Sequence, residues 1–302
     1  MDCGCRLAPC GVSCVYEDFY RLSVKPFSIV PDPNFIYWAP GHEMAYSMLE
    51  YGILNQAGIT VVTGGIGCGK TTLVRHLLRN LDEQVTVGLL TNTVGGRGKL
   101  LKWVMMALNQ EFEGRSYVGL YHSFQQFLID EYAQGRHVIL VVDEAQNLGA
   151  ETLEELRMLS NINSDKDQLL QLVLIGQPQL RDLLCQPKLV QFAQRVSSDF
   201  HLKPLDQGEV AAYIDHRLAL AGAKGPIFSR RACDLIASAS QGIPRTVNIL
   251  CDKALVYGFS AGYLFIGPEL IVKILDDRRD FGVFTESGIG AEPIPFRPRG
   301  LG

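Results

Sequence analysis

The sequence predicts an α/β fold, a parallel sheet with helices on both faces, followed by a small all-helical domain. Short apolar runs alternate with amphipathic runs from Ile59 to about Pro204, and this order is typical of strands joined by crossover helices. The apolar runs are continuous, as expected of strands that are buried on both faces. Beyond Pro204 only helical patterns follow, with Gly, Pro or Ser at each joint.

Four strands and four helices are predicted in the α/β region. The strand candidates are rich in Val, Ile and Leu: ITVVTG, VTVGLLT, HVILVVDE and LQLVLIGQ. The helix candidates between them lie at about Lys70–Asn80, Gly98–Phe112, Tyr121–Gln134 and Ala150–Asn161. Strand and helix therefore alternate throughout, which predicts a parallel sheet.

The patterns divide the 302 residues into five segments. A cysteine-rich leader (1–15) and an arm with a helix (16–58) precede the core (59–204), the helical domain (205–278) and a Gly- and Pro-rich tail (279–302). We expect the leader and the tail to be disordered. The leader contains four cysteines that could hold zinc, but their spacing matches neither half of a zinc ribbon. These are Cys3, Cys5, Cys10 and Cys14.

Composition and charge exclude several classes of protein. The formal net charge of −4 is not that of a polycation, so any binding to nucleic acid must use a local basic patch. No segment approaches the roughly 20 consecutive apolar residues of a membrane-spanning helix. The N-terminus lacks the basic and apolar regions of a secretory signal. We therefore expect a cytoplasmic protein without a membrane span.

The stretch GGIGCGKT, Gly64 to Thr71, fits the pattern G-x-x-x-x-G-K-[ST] between a predicted strand and a predicted helix. In that position the glycines let successive backbone N–H groups point at phosphate oxygens. Lys70 would reach the β and γ phosphates, and the Thr71 hydroxyl would bind Mg²⁺. An accidental glycine-rich turn is the alternative. The expected contacts to a nucleotide are Gly64, Gly65, Ile66, Gly67, Cys68, Gly69, Lys70, Thr71 and Thr72.

Polar side chains end two of the other predicted strands. HVILVVDE ends in Asp143 and Glu144, and LQLVLIGQ ends in Gln177. Asp143 is suited to holding the Mg²⁺ shell, and Glu144 to polarising a water for attack on the γ phosphate. Gln177 could position the same water. The alternatives are acids that solvate a loop and a glutamine that ends a strand.

Six blocks of the sequence resemble the AAA+ ATPases of the general secretion pathway component A (ExeA) type. In order they are KPFSIVPDPNFIYWAPGHEMA, TGGIGCGKTTLVRHLL, ILVVDEAQNLGAETLEELRMLSN, LVLIGQPQLRDLL, QRVSSDFHLKPL and GIPRTVNILCDKAL. The resemblance extends from about Tyr16 to Asp277. It implies an ATP hydrolase that assembles into oligomers and drives the assembly or remodelling of a secretion machine.

The resemblance also assigns two arginines. An arginine of the neighbouring subunit would complete each nucleotide site, and by position this is Arg195, with Arg157 and Arg181 as rivals. Arg245, in the helical domain, would contact the γ phosphate from within the subunit. For each, the alternative is a surface salt bridge.

Two other functions remain open. The same AAA+ fold serves transposition, where ATPases of the TniB kind form filaments on DNA. Here Arg97, Lys99 and Lys102 would grip duplex phosphates, joined by Arg75 and Arg79. A nucleotide-gated adaptor that hardly hydrolyses ATP is the third hypothesis. Glu144 argues against the adaptor, because a pure switch needs no acid to polarise water.

Overall fold

The computed structural model describes residues 15–82, 84–91, 99–163 and 167–281. In these ranges five parallel strands form a sheet in the order β2-β3-β4-β1-β5. The strands are β1 (Ile59–Gly64), β2 (Val85–Leu90), β3 (His137–Val142), β4 (Leu170–Gly176) and β5 (Val196–Leu202).

Twelve α-helices accompany these strands in the described ranges. They are α1 (Glu17–Tyr20), α2 (Pro40–Leu54), α3 (Lys70–Asn80), α4 (Leu100–Ala107), α5 (Tyr117–Ala133), α6 (Gly149–Leu159), α7 (Pro178–Leu184), α8 (Val190–Ala193), α9 (Gln207–Leu220), α10 (Arg230–Ser240), α11 (Pro244–Ala261) and α12 (Pro268–Phe281). The predicted fold class is thereby confirmed, a parallel sheet with helices and a helical C-terminal part.

Both faces of the sheet are buried, as the continuous apolar strands predict. Along β3, Val138, Leu140 and Val142 join one hydrophobic cluster, in which they pack with residues of α4 to α8. Ile139 and Val141 point the other way and join a second cluster, with residues of α2 and α3. The alternation of side chains along a strand thus divides a continuous apolar run between two cores.

The sequence prediction missed one strand and the two short helices α7 and α8, and it misplaced the ends of α4 and α5. The edge strand β5 exposes alternate residues, including Ser197 and Asp199, so it has no continuous apolar run. Helix α4 is shorter than the predicted Gly98–Phe112. Helix α5 begins at Tyr117, before the predicted Tyr121, because Ser116 caps it by accepting a hydrogen bond from the Gly119 N–H at 3.2 Å.

The contacts divide the chain into two units. Of the described residues, the sheet unit comprises those within 28–209 and 241–246, and the helical unit comprises those up to Phe27, those within 210–240 and those from Val247. The predicted domain boundaries at 58/59 and 204/205 stay a prediction. The contacts add that residues 16–27 belong to the helical unit, where Arg217 Nε donates to the Pro26 carbonyl at 2.6 Å.

Three sequence predictions concern residues outside the described ranges. The four leader cysteines and most of the tail lie there, as does Arg97. Within the described ranges, no helix is both long and apolar enough to cross a membrane.

The glycine that precedes α11 gives a prediction about stability. A Cβ at Gly242 would lie 1.9 Å from the Leu205 carbonyl oxygen, and the φ of Gly242 is +71°. We expect Gly242→Ala to lower the free energy of unfolding by about 3 kcal/mol, because both the backbone strain and the clash must be relieved. Urea denaturation measures this loss.

Gly135→Ala is the matched control for this substitution. Gly135 has a φ of +73°, but no atom lies within 4 Å of the position that a Cβ would occupy there, so only the backbone strain applies. We expect a loss of about 1 kcal/mol. Equal losses in the two variants would show that the clash with the Leu205 carbonyl oxygen adds nothing to the cost of the substitution.

Candidate active site

The glycine-rich loop lies between β1 and α3, and three of its glycines are required by their surroundings. Gly67 and Gly69 have φ values of +77° and +97°, in the left-handed region that other residues rarely adopt. A Cβ at Gly64 would lie 2.8 Å from the Leu202 carbonyl oxygen. The loop therefore turns back on itself at the point where α3 begins and its first N–H groups are unpaired.

Lys70, the first residue of α3, is buried and reaches back over the loop. Its ammonium donates to the carbonyl oxygens of Gly64 at 2.8 Å and Gly65 at 2.9 Å. Burial lowers the pKa of Lys70, and the carboxylates of Asp143 and Glu144 oppose that shift. A single cation is thus held at the mouth of the loop, where the N-terminus of α3 adds its own partial positive charge.

Thr71 and Asp143 meet at the carboxyl edge of the sheet. The Thr71 hydroxyl donates to Asp143 Oδ2 at 3.0 Å, and the other carboxylate oxygen accepts the backbone N–H of Glu144 at 2.9 Å. Asp143 is buried. The predicted convergence of the loop and the acidic strand end is present in the structure.

Glu144 and Gln177 are also brought together. Gln177 Nε2 donates to Glu144 Oε2 at 3.0 Å. The sheet order explains the contact, because β4 lies between β1 and β3 and its carboxyl end lies between those of its two neighbours. Gln146, which the sequence analysis did not single out, donates to the same Oε2 at 2.6 Å.

Arg245 lies against the glycine-rich loop. Its backbone N–H donates to the Gly67 carbonyl oxygen at 3.2 Å, and the side chain is exposed. A Cβ at Gly67 would lie 2.6 Å from the Arg245 Cβ, so only glycine permits this approach. Both residues belong to the sheet unit. The predicted contact of Arg245 with the γ phosphate stays a prediction.

The remaining loop residues differ in exposure. Ile66 is exposed, Gly65 and Thr72 are half-buried, and Cys68 is fully buried. Burial raises the pKa of the Cys68 thiol, with the charge of Lys70 acting in the opposite direction. Cys68 is therefore a small core residue here rather than a reactive thiol.

The three candidates for the intersubunit arginine lie elsewhere. Arg195 and Arg181 are exposed, and the Arg195 guanidinium donates to the Asn161 side chain. Arg157 Nε forms an ion pair with Glu154 on its own helix at 2.8 Å. Arg157 is therefore already held by a partner.

The basic residues of the DNA hypothesis are exposed where the structure describes them. They are Lys99, Lys102, Arg75 and Arg79, of which Arg75 donates to the Pro31 carbonyl at 3.1 Å. Arg97 lies outside the described residues. The DNA hypothesis and the adaptor hypothesis stay predictions.

His42, in the first turn of α2, is a second residue that sequence reasoning missed. Its buried ring contacts the loop, with Nε2 3.0 Å from the Cys68 carbonyl oxygen. A carbonyl only accepts, so Nε2 carries the proton. Burial lowers the pKa of His42, although the bond to Cys68 and the charge of Glu209 act against this. The His42 ring therefore donates a hydrogen bond to the backbone carbonyl of Cys68, a fully buried loop residue.

Comparisons with known proteins agree with this fold and site. Residues 53–184 match the AAA domain family. The general secretion pathway protein A of Aeromonas hydrophila is 37% identical over 249 residues, which cover 82% of this chain and 46% of that protein.

Solved structures resemble the chain in fold. Drosophila ORC bound to DNA has a TM-score of 0.64 at 17% identity, covering 91% of this chain and 69% of that chain. The Cdc6p of Pyrobaculum aerophilum has a TM-score of 0.61 at 18% identity, covering 82% and 71%. Domain III of the Thermotoga maritima replication initiation protein DnaA has a TM-score of 0.54 at 18% identity, covering 83% and 98%.

The sheet, the glycine-rich loop and the acidic strand end place the chain in the AAA+ class of P-loop proteins. Within that class it is of the general secretion pathway protein A type, which confirms the resemblance seen in its sequence. The chain spans less than half the length of that relative, 46%.

The contact between His42 and the loop predicts an effect on nucleotide affinity. His42→Phe keeps a ring but leaves the Cys68 carbonyl unpaired, which costs about 1–3 kcal/mol for a buried group. We expect the Kd for ATP, measured by calorimetry, to rise by on the order of tenfold. His42→Gln places an amide N–H at a similar reach and should stay near the wild-type value. Equal affinity in the Phe variant would show that the loop does not need this hydrogen bond.

Proposed function

We propose that this protein binds ATP with Mg²⁺ and hydrolyses it at the subunit interfaces of an oligomer, and that the cycle drives the assembly or remodelling of a secretion machine. The observation that carries the proposal is the convergence of Lys70, Thr71, Asp143 and Glu144 at one edge of the sheet. The family supports nucleotide binding. The site lies wholly in the sheet unit. ATP as substrate suits the cytoplasmic location expected from the sequence.

Binding rests on the loop and Lys70. The loop N–H groups and the N-terminus of α3 present partial positive charge, and the Lys70 ammonium adds a full charge. Both act in a partly buried environment, where charge interactions are stronger than in water. Arg245, which touches the loop at Gly67, supplies a second cation for the γ phosphate.

The residues at the loop suit Mg²⁺. Mg²⁺ is a hard cation that prefers oxygen ligands. The Thr71 hydroxyl and the Asp143 carboxylate offer such oxygens, and these lie 3.0 Å apart. We propose that Thr71 and Asp143 would hold the ion. When bound, the ion neutralises charge that develops on the phosphate oxygens.

Hydrolysis is assigned to Glu144 and Gln177. Glu144 accepts a proton from a water whose oxygen attacks the γ phosphorus, and Gln177 orients that water or the γ phosphate. The bond from the γ phosphorus to the bridging oxygen breaks, ADP leaves with the bond electrons, and the proton returns from Glu144 to the products. Glu144 thus acts as the general base.

Assembly would place Arg195 at the site of the next subunit. The Arg195 guanidinium is exposed, and an arginine in this role is worth about 10³–10⁵ in rate in the comparable GTPases. The relative from Aeromonas hydrophila is named for general secretion, and we propose a partner of that kind here.

The role of Glu144 predicts a separation of binding from turnover. Glu144→Gln removes the base but keeps the shape of the side chain, so we expect an unchanged Kd for ATP and a kcat lowered by at least about 100-fold. Phosphate release with purified protein, ATP and Mg²⁺ measures kcat. Glu151→Gln, at an exposed acid on α6, is the control and should leave both values unchanged. Lys70→Ala should abolish ATP binding, and normal binding by that variant would refute the loop assignment.

The role of Arg195 predicts that two inactive variants restore activity when mixed. Arg195→Ala keeps its own base, and Glu144→Gln keeps its arginine. In an equal mixture that assembles at random, roughly a quarter of the interfaces place the Arg195→Ala chain, with its intact Glu144, next to the intact arginine of a Glu144→Gln chain. We therefore expect phosphate release in the mixture but not in either variant alone.

Arg181→Ala is the control for the mixing experiment. Arg181 is a second exposed arginine of the same unit, and we expect this variant to turn over ATP at the wild-type rate. If Arg181→Ala is inactive and is rescued by Glu144→Gln while Arg195→Ala is active, Arg181 is the intersubunit arginine instead.

A further inference from the structure

Three side chains close a hydrogen-bonded ring beside the acidic strand end. Gln146 Nε2 donates to Glu144 Oε2 at 2.6 Å, and Gln177 Nε2 donates to the same oxygen at 3.0 Å. Gln146 Oε1 then accepts the backbone N–H of Gln177 at 3.0 Å. Gln146 therefore contacts both residues to which the hydrolytic roles are assigned.

The chemistry of an amide suits this place. One amide group both donates, here to a carboxylate, and accepts, here from a backbone N–H. A carboxylate at position 146 would only accept and would repel Glu144, and an apolar side chain would do neither. Both amide donors converge on Oε2 of Glu144, so Oε1 is the oxygen to which neither glutamine donates.

The backbone at Glu144 and at Gly176 also fits this hydrogen-bonded ring. Glu144 has a φ of +54° and a ψ of +38°, a left-handed conformation that is sparsely populated for this residue type. A Cβ at Gly176, the last residue of β4, would lie 2.8 Å from Gln146 Oε1. A side chain at position 176 would therefore displace the Gln146 amide or Leu180 from its present place.

We infer that Gln146 is a positioning residue, which holds the Glu144 carboxylate and the Gln177 backbone in one arrangement so that Glu144 Oε1 faces the attacking water. The inference rests on the proposed role of Glu144 as base. Gln146 acts only through Glu144 and Gln177, and its loss should slow the chemical step without weakening ATP binding.

The test measures kcat, the Kd for ATP and the melting temperature of three variants beside the wild type. Gln146→Met keeps the length of the side chain without its hydrogen bonds, and we expect kcat to fall by about 10- to 100-fold with the Kd unchanged. Gln146→Glu keeps the acceptor for the Gln177 N–H but replaces the donor with a second negative charge. We expect its kcat to fall at least as far as that of Gln146→Met. Asn147→Ala changes the exposed neighbour in the same turn and should match the wild type in all three measurements.

The outcomes separate this inference from the proposed function. If the wild type turns over ATP and Gln146→Met is as active as Asn147→Ala, the inference is wrong but the proposed function stands. A parallel fall in kcat, affinity and melting temperature also overturns it, because Gln146 would then be structural. A wild type that binds ATP but releases no phosphate overturns the proposed hydrolysis, and the inference with it.

Discussion

The order of the central strands is the constraint from which the site follows. Because β4 lies between β1 and β3 and all three are parallel, the glycine-rich loop, Gln177 and the acidic pair must emerge at one edge of the sheet. No long side chain has to bridge the gap, since the Thr71 hydroxyl already reaches Asp143 at 3.0 Å. Parallel sheets bind ligands at the carboxyl ends of their strands for the same reason.

Burial at this edge raises the cost of every unpaired group. Lys70, Asp143 and His42 are all buried, and each has a partner of matching polarity. An ionised group in such a place is expensive unless it is paired and hydrogen-bonded. The pairing found for Lys70 uses backbone carbonyls of the loop itself, so the site is held in shape by the same groups that surround the phosphates in our proposal.

Sequence reasoning found the parts of the site that carry a local signal. Lys70, Thr71 and Asp143 stand in patterns of residue type and spacing, and the buried strands are visible as apolar runs. His42 and Gln146 have no such signal, because their contacts join α2 to the loop and β3 to β4 across long stretches of chain. Strand β5 was missed for a related reason. It is an edge strand with exposed polar residues at alternate positions, so its sequence lacks the continuous apolar run that marks the central strands.

The segment 241–246 links the two units through its own covalent bonds. It clusters with the sheet unit, while the residues on both sides of it belong to the helical unit. Within the sheet unit it is held twice, by the Leu205 N–H, which donates to the Gly242 carbonyl at 2.9 Å, and by the contact of Arg245 with Gly67. Helix α11 begins at Pro244 and continues into the helical unit. A shift of Arg245 towards a phosphate would therefore move the first turn of a helix that runs on into the other unit. Helix α11 therefore passes from the segment that contacts the glycine-rich loop into the helical unit without a break in the helix.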